Sequence, residues 1–288
     1  MQKIKNIEVI INTAKINLQN KVKVKNLLNF LSRQKINLKL DENSNKSLNK
    51  NFNTDFKKAD LILALGGDGT ILRATKKALK DKLPVMGINI GGFGFLSECS
   101  PDDVQEILKK IISGNYFYKK SMLLSAQIIR QNKNIFKSYA LNDVVIHVSK
   151  IARLGHFNVG VENINLCALP ADGIIISTPA GSTAYSLSCG GPIVFPQHNL
   201  LILTPICAHT LFARSIIISK KEMFKISIAG KIDEAVVTLD GQEFFPFRWG
   251  DILVVKKSNK SIEFISTNKE DFYNKIKTKL RWGEQIIK

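Results

Sequence analysis

The chain has 288 residues, of which 44% are hydrophobic, and a formal net charge of +18; its mean hydropathy is close to zero. These figures describe a soluble globular protein with room for two domains of ordinary size. The charge invites a nucleic-acid reading, but the lysines are spread along the chain and mixed with asparagines, as in residues 43–53, so the positive field points to anionic ligands, whose on-rate it would raise, more than to DNA.

Residues 1–6 lead into a short strand pattern instead of a long apolar core, so no secretory leader is expected. Residues 7–11 read as a strand, and Val24, Leu27, Leu28 and Leu31 mark one face of a helix. Ile36, Leu38 and Leu40 alternate as a second strand, and a polar loop is expected over 41–54. Residues 61–65 form a buried strand that ends in Gly66, Gly67, Asp68, Gly69 and Thr70. Ile71, Leu72, Ala78 and Leu79 then recur at helical spacing. A further strand follows at 85–90, and Ser100, Pro101, Asp102 and Asp103 open a helix with a cap, a proline and first-turn acids. Val104, Ile107, Leu108 and Ile111 are its buried face, and Gly114 stops it. Strand and helix in alternation mean a parallel sheet wrapped by helices, an α/β nucleotide-binding domain over residues 1–120.

From Ser121 short strands dominate, at 123–129, 139–147, 157–161, 164–169, 173–178, 224–228, 235–239, 252–255 and 262–265. Turn residues separate them, as at 131–134 and Asp240-Gly241, which is the pattern of an all-β, sandwich-like domain over 121–266. One helical interruption is expected at 182–188. Residues 272–280 return to helical spacing, so the segment 267–288 is expected to complete the first domain. The most apolar run, 200–213, is broken by Pro205, His209 and Thr210 and is too short to span a bilayer, so a cytoplasmic protein with no membrane partner is expected. Cys99, Cys167, Cys189 and Cys207 are widely spaced with no CxxC and no nearby histidine, which speaks against a metal site and for reduced thiols. His147, His156, His198 and His209 are equally scattered.

Three segments carry chemistry. Glycines delivered by a strand to a helix start expose backbone N–H groups without Cβ obstruction, which suits a phosphate. Asp68 stands in that cradle, where a carboxylate can meet a reacting hydroxyl or a magnesium ion; as Asp-Gly it also reads as a tight turn. No GxxxxGK[ST] sequence is present, which excludes a P-loop NTPase, and Ser97 stands where a dinucleotide fingerprint after Gly92 and Gly94 would need its third glycine. In residues 171–192 a strand runs into Pro179 and then into Gly181, Ser182 and Thr183, whose small hydroxyl side chains can line a polar ligand. Tyr185 adds a ring for stacking, while Asp172 belongs at the other end of the same strand. Asn142 and Asp143 interrupt an apolar strand, and adjacent polar groups in a sheet need partners or a ligand.

Taken in order, GGDGT, INIGGFGFLSE, LNDVVIH, ADGIIISTPAGSTAYSLSCGGPI, PICAHTLFAR and LDGQE resemble the bacterial NAD kinases from about residue 61 to the C-terminus. The resemblance implies transfer of the γ-phosphoryl group of ATP to the 2′-hydroxyl of the adenosine ribose of NAD, with a divalent metal cation such as Mg²⁺. It implies that Asp68 accepts the hydroxyl proton and that Gly66, Gly67, Gly69 and Thr70 belong to the nucleotide-contacting loop. It also implies that Asn142 and Asp143 hold NAD hydroxyls, and that Phe95, Asp172, Thr183, Ala184, Tyr185, Ser186, Leu187, Ser188 and Gln242 line the NAD site. Arg153 is implied near the ligand phosphates, and a homo-oligomer whose NAD site includes residues of a second subunit is implied as well. A lipid kinase of the diacylglycerol or sphingosine type also pairs a GGDG loop with a β domain, but leaves the 181–192 segment unexplained. A basic nucleic-acid-binding protein leaves Asp68 without a role.

Overall fold

The computed structural model describes residues 3–12, 17–40, 42–48, 51–52, 54–90, 94–99, 103–148, 155–230, 235–268 and 271–283. The chain runs β1 (Asn6–Ile11), α1 (Leu18–Arg33), β2 (Asn37–Leu40), α2 (Glu42–Leu48), β3 (Leu61–Leu65), α3 (Asp68–Asp81), β4 (Val85–Ile88) and α4 (Val104–Ile112). Strands follow as β5 (Phe117–Arg130), β6 (Lys133–Ala140), β7 (Asp143–Val148), β8 (Gly155–Val161), β9 (Ile164–Ala171) and β10 (Gly173–Ser177). A 3₁₀ turn (Ala180–Thr183) leads to α5 (Tyr185–Ser188), then to β11 (Leu200–Ile206), β12 (Ile216–Ser219), β13 (Met223–Ile228), β14 (Ala235–Leu239), β15 (Glu243–Phe247), β16 (Ile252–Ser266) and α6 (Asp271–Leu280). Two compact units result: Met1–Lys120 with Ile262–Lys288, and Ser121–Ser261. Among the described residues no helix is long and apolar enough to cross a membrane.

In the first unit β2, β1, β3, β4 and the end of β16 lie side by side, all parallel. All five residues of β3 are buried, as a central strand covered on both faces requires. Asn17 caps α1 by accepting from Asn20 N at 2.8 Å, and Val24, Leu27, Leu28 and Leu31 turn to the core. The expected loop at 41–54 instead holds α2. Its sequence is a poor helix former, but Leu48 is fully buried in the core, and such packing outweighs propensity in a helix this short. The helix expected from 100 begins at Val104, with residues 100–102 outside the described set.

The second unit stacks two antiparallel layers. One is a six-stranded sheet in the order β12-β11-β10-β7-β14-β15, and the other contains β16, β13, β8 and β9 with the β5–β6 hairpin. Val144, Ile146, Ile174 and Leu203 of the first layer share one core with Phe157, Phe224, Ile226 and Leu253 of the second. Residues 139–147 are not one strand: the ladder stops at Ala140 and restarts at Asp143, leaving Leu141 and Asn142 between. The expected strands at 252–255 and 262–265 are one long strand, β16.

Asp251 shows how this unit handles a buried charge. Its fully buried carboxylate takes Arg130 Nε and Nη2 at 2.7 Å each and Arg248 N at 2.8 Å. Asp251→Ala would leave the guanidinium and one N–H unpaired. A lower denaturant midpoint is expected, softened because the Arg130 side chain is partly exposed and can be solvated; an unchanged midpoint would mean that the pair contributes nothing.

Candidate active site

In the first unit the site begins where β3 meets α3. A Cβ on Gly66 would overlap the Thr70 side chain and lie 3.3 Å from Asn12 Cβ, so only glycine fits this turn. Gly67 and Gly69 face open space, where a side chain would meet nothing among the described residues within 4 Å. Their bareness is therefore a feature of the surface and not a demand of packing. Gly67 is the N-cap of α3, and Thr70 is buried with its hydroxyl oxygen lacking a hydrogen-bond partner.

Asp68 is the first residue of α3, and its carboxylate is held from the front. Phe95 N donates to Oδ2 at 2.9 Å and Leu96 N donates to Oδ1 at 3.1 Å. Gly94 permits this approach, since a Cβ there would stand 2.7 Å from Oδ1. From α6, Lys275 Nζ donates to Phe95 O at 2.9 Å, and the Phe272 ring lies 6.4 Å from the Phe95 ring. Burial pushes the Asp68 carboxyl above its ordinary range, and the two N–H groups and the charges of Lys275 and Lys279 only partly offset this. The result is a carboxylate of enhanced basicity beside a bare glycine turn. Of the glycine-rich loop before it, residues 91–93 lie outside the described set.

In the second unit three neighbouring strands bring expected site residues to one end of the six-stranded sheet. The start of β7 carries Asn142 and Asp143, the end of β10 leads into Thr178, and the end of β14 carries Asp240. The Asp240 carboxylate accepts from Leu141 N at 2.8 Å, Asn142 N at 2.7 Å and Asp143 N at 3.2 Å, which accounts for the break in the ladder. Thr178 ties on from the other side, its N–H donating to Asn142 O at 2.9 Å and its hydroxyl to Leu141 O at 2.6 Å. Gly181 packs so closely on the Asn142 backbone that a Cβ would overlap the carbonyl.

This frame leaves polar atoms unspent. Asn142 is buried and its Oδ1 has no partner, and neither has Ser177 Oγ, across the ladder from Asp143. Asp143 is 5% exposed. Burial, with the nearby Asp240 charge, pushes its carboxyl up to about 7. Tyr185 presents its ring to solvent at 46% exposure, and its hydroxyl is pushed up by partial burial and by Cys189. Ala184 and Leu187 are half-buried and Ser188 is exposed. Thr183 bonds back to Ala180 O at 3.1 Å, while the Ser186 hydroxyl is turned inward to Thr204 Oγ1 at 2.8 Å. Gln242 closes the hairpin turn after Asp240, its N–H donating to Leu239 O at 2.9 Å.

Two expected site residues are not gathered here. Asp172 is exposed at the opposite end of β10, six residues away from Thr178, or roughly 20 Å at the usual strand rise. Arg153 lies outside the described residues. Conversely, Asp240 shapes the sheet end of the second unit and Lys275 the Asp68 loop of the first, and neither is signalled by the sequence. Asp240 reads there as half of an Asp-Gly turn, which it is, with positive φ at Asp240 and Gly241; only its three N–H contacts reveal the second role.

The first unit thus carries a carboxylate of raised basicity at a glycine-lined helix start, the kind of arrangement phosphotransferases use, and the second unit carries unspent buried polar groups at one sheet end. Residues 7–116 match the ATP-NAD kinase N-terminal domain, and residues 141–267 match the ATP-NAD kinase C-terminal domain. The NAD kinase of Thermoanaerobacter sp. (strain X514) is 40% identical over 225 residues, 78% of this chain and 80% of its own length. The NAD kinase of Wigglesworthia glossinidia brevipalpis is 36% identical over 269 residues, 91% of either chain. Among solved structures, an NAD kinase from Archaeoglobus fulgidus in complex with ATP superposes with a TM-score of 0.72 at 25% identity, covering 93% of this chain and 96% of its own. Yeast NADH kinase complexed with NADH shares the fold at a TM-score of 0.85 and 22% identity, covering 99% of this chain and 89% of its own. The chain belongs to the NAD kinase family.

Asp143 should reveal itself through stability. Its folded carboxyl lies above the unfolded value, so its favourable contribution is complete below about pH 4 and is lost as pH rises through about 7. Asp143→Asn should therefore raise stability at pH 8, by up to about 4 kcal/mol, and flatten the pH dependence between 4 and 8. Denaturant titrations at both pH values would show this; an equally steep pH dependence in the variant would place the titration elsewhere.

Proposed function

We propose that this protein transfers the γ-phosphoryl group of ATP to the 2′-hydroxyl of the adenosine ribose of NAD, giving NADP and ADP. The observation that carries the reading is Asp68, a carboxylate made more basic by burial and steadied by two backbone N–H groups at the mouth of the glycine turn. Asp68 accepts the hydroxyl proton as the ribose oxygen bonds to the γ-phosphorus and the bond to the ADP oxygen breaks. Gly66, Gly67, Gly69 and Thr70 cradle the donor, because bare glycines at a helix start let phosphate oxygens reach backbone N–H groups.

The second unit holds NAD. Asn142 and Asp143 bind its hydroxyls, in keeping with the unpartnered Asn142 Oδ1 and a buried carboxyl awaiting donors. Tyr185 supplies a stacking face, and Thr183, Ala184, Leu187, Ser188 and Gln242 line the ligand; Phe95 is a further NAD-binding residue. Ser186 contributes through its backbone, since its hydroxyl is engaged by Thr204. Asp172 lies too far along β10 to serve the same copy of the site. That supports a homo-oligomer in which Asp172 completes the NAD site of a second copy. Arg153 favours the 2′-phosphate of the product.

A divalent cation, Mg²⁺ by preference, accompanies ATP. No cluster of three or more His, Cys, Asp or Glu side chains able to hold a metal occurs among the described residues. The cation would accompany the phosphate oxygens of ATP, where it neutralises their charge. The reading includes a cytoplasmic location and excludes nucleic-acid and membrane partners.

Asp68→Asn should lower kcat by at least about 10²-fold while leaving the Kd for NAD nearly unchanged. Asn142→Ala and Tyr185→Ala should act the other way, weakening NAD by roughly 1–3 kcal/mol each with a smaller effect on ATP. Steady-state kinetics and calorimetry separate the two. A kcat within threefold of wild type in Asp68→Asn would sink Asp68 as the proton acceptor, and undiminished NAD binding by both alanine variants would remove the second unit from the NAD site.

A further inference from the structure

A single peptide group links the C-terminal helix to Asp68. The Lys275 ammonium donates to the carbonyl oxygen of Phe95 at 2.9 Å. The N–H of that same peptide, carried by Leu96, donates to Asp68 Oδ1 at 3.1 Å. One peptide plane therefore has a cation at its oxygen end and a carboxylate at its N–H end. A cation on the carbonyl draws electron density across the C–N bond and makes the N–H a stronger donor, so the two hydrogen bonds reinforce one another. The preceding N–H, that of Phe95, donates to the other carboxylate oxygen at 2.9 Å. Helix α6 grips the loop a second time, through the Phe272 ring against Phe95.

The charged groups acting on Asp68 are few. Lys275 and Lys279 both come from α6. Glu98, on the segment after β4, is turned away to Ser266 Oγ at 2.9 Å and Thr267 N at 2.6 Å. Arg73, on the same helix as Asp68, is spent on Ile11 O at 2.8 Å. Lys275 reaches Asp68 through a bonded path, by way of the Phe95–Leu96 peptide.

We propose that Lys275 is a positioning residue for Asp68: it holds and polarises the Phe95–Leu96 peptide, which fixes the carboxylate in the orientation that receives the ribose proton. The proposal rests on the reading of Asp68 as proton acceptor. The C-terminal helix thereby becomes part of the catalytic apparatus. Burial raises the Asp68 carboxyl, and the Lys275 charge opposes that rise. Removing the ammonium leaves burial less opposed, so Asp68 binds its proton at a higher pH and is blocked as a base over a wider acid range.

The test compares Lys275→Met, Lys275→Gln and Lys275→Arg. The acid limb of the kcat–pH profile and the ¹³C NMR titration of the Asp68 carboxyl, identified by its absence in Asp68→Asn, are measured for each. Both midpoints should move upward by about half a unit or more in the Met and Gln variants. The KM for NAD should stay within twofold, and Lys275→Arg should return both midpoints towards wild type. Unmoved midpoints in the Met and Gln variants would overturn the proposal, as would an upward shift that Arg fails to reverse. If Lys275→Met does not fold, the Gln variant, which keeps a donor but loses the charge, decides alone. The NMR titration needs no turnover. An active Asp68→Asn would therefore overturn the role of Asp68 itself, while the carboxyl titration would still report separately on the Lys275 contact.

Discussion

Two backbone N–H groups, those of Phe95 and Leu96, hold the carboxylate of Asp68, and much of the first unit is arranged so that they can. The apolar strand β3 delivers the aspartate to a helix start. Gly66 makes the turn possible by giving way to Thr70, and Gly94 lets the opposing loop come within reach. Helix α6 closes on that loop from the far end of the chain. Desolvation alone would leave the carboxyl neutral over a wide pH range; hydrogen bonds alone would make it a weak base. Their opposition leaves a group that is raised in basicity yet still able to ionise, which is what proton acceptance from an alcohol demands.

The second unit uses a carboxylate in the opposite sense. Asp240 collects three consecutive N–H groups and so breaks the edge of β7 away from its ladder. Asn142 and Asp143 are thereby fixed at a sheet end with their side-chain polar capacity unspent. Such a frame costs stability in the unliganded protein, because buried polar groups without partners are unfavourable. A ligand that supplies the partners recovers that cost, so the same atoms that weaken the fold strengthen binding.

Much of this was legible in the sequence because the glycines and apolar runs are local signals. The run 61–70 reads directly as strand, turn and helix start, and 182–188 reads as a short helical interruption of small residues. What escaped was set by tertiary contact. The polar stretch that forms α2 is helical through the burial of Leu48, and no propensity scale would choose it. The strand at 139–147 looks continuous until Asp240, about a hundred residues later, pulls its centre apart. Asp240 itself was hidden by a role it truly has, as a turn residue, and Lys275 by being one of many lysines. The spacing of Asp172 from Thr178 was legible, and it is what separates that aspartate from the rest of the site in one copy of the chain.

The central claim is that a ribose hydroxyl, placed beside Asp68, is the phosphoryl acceptor. The most direct measurement offers the protein ATP and Mg²⁺ with either NAD or its 2′-deoxyadenosine analogue, and follows NADP formation and ADP release together. The account expects one NADP per ADP from NAD and no transfer to the 2′-deoxy analogue, although the analogue should still bind. Phosphorylation of the analogue, or ADP release from NAD without NADP, would contradict it.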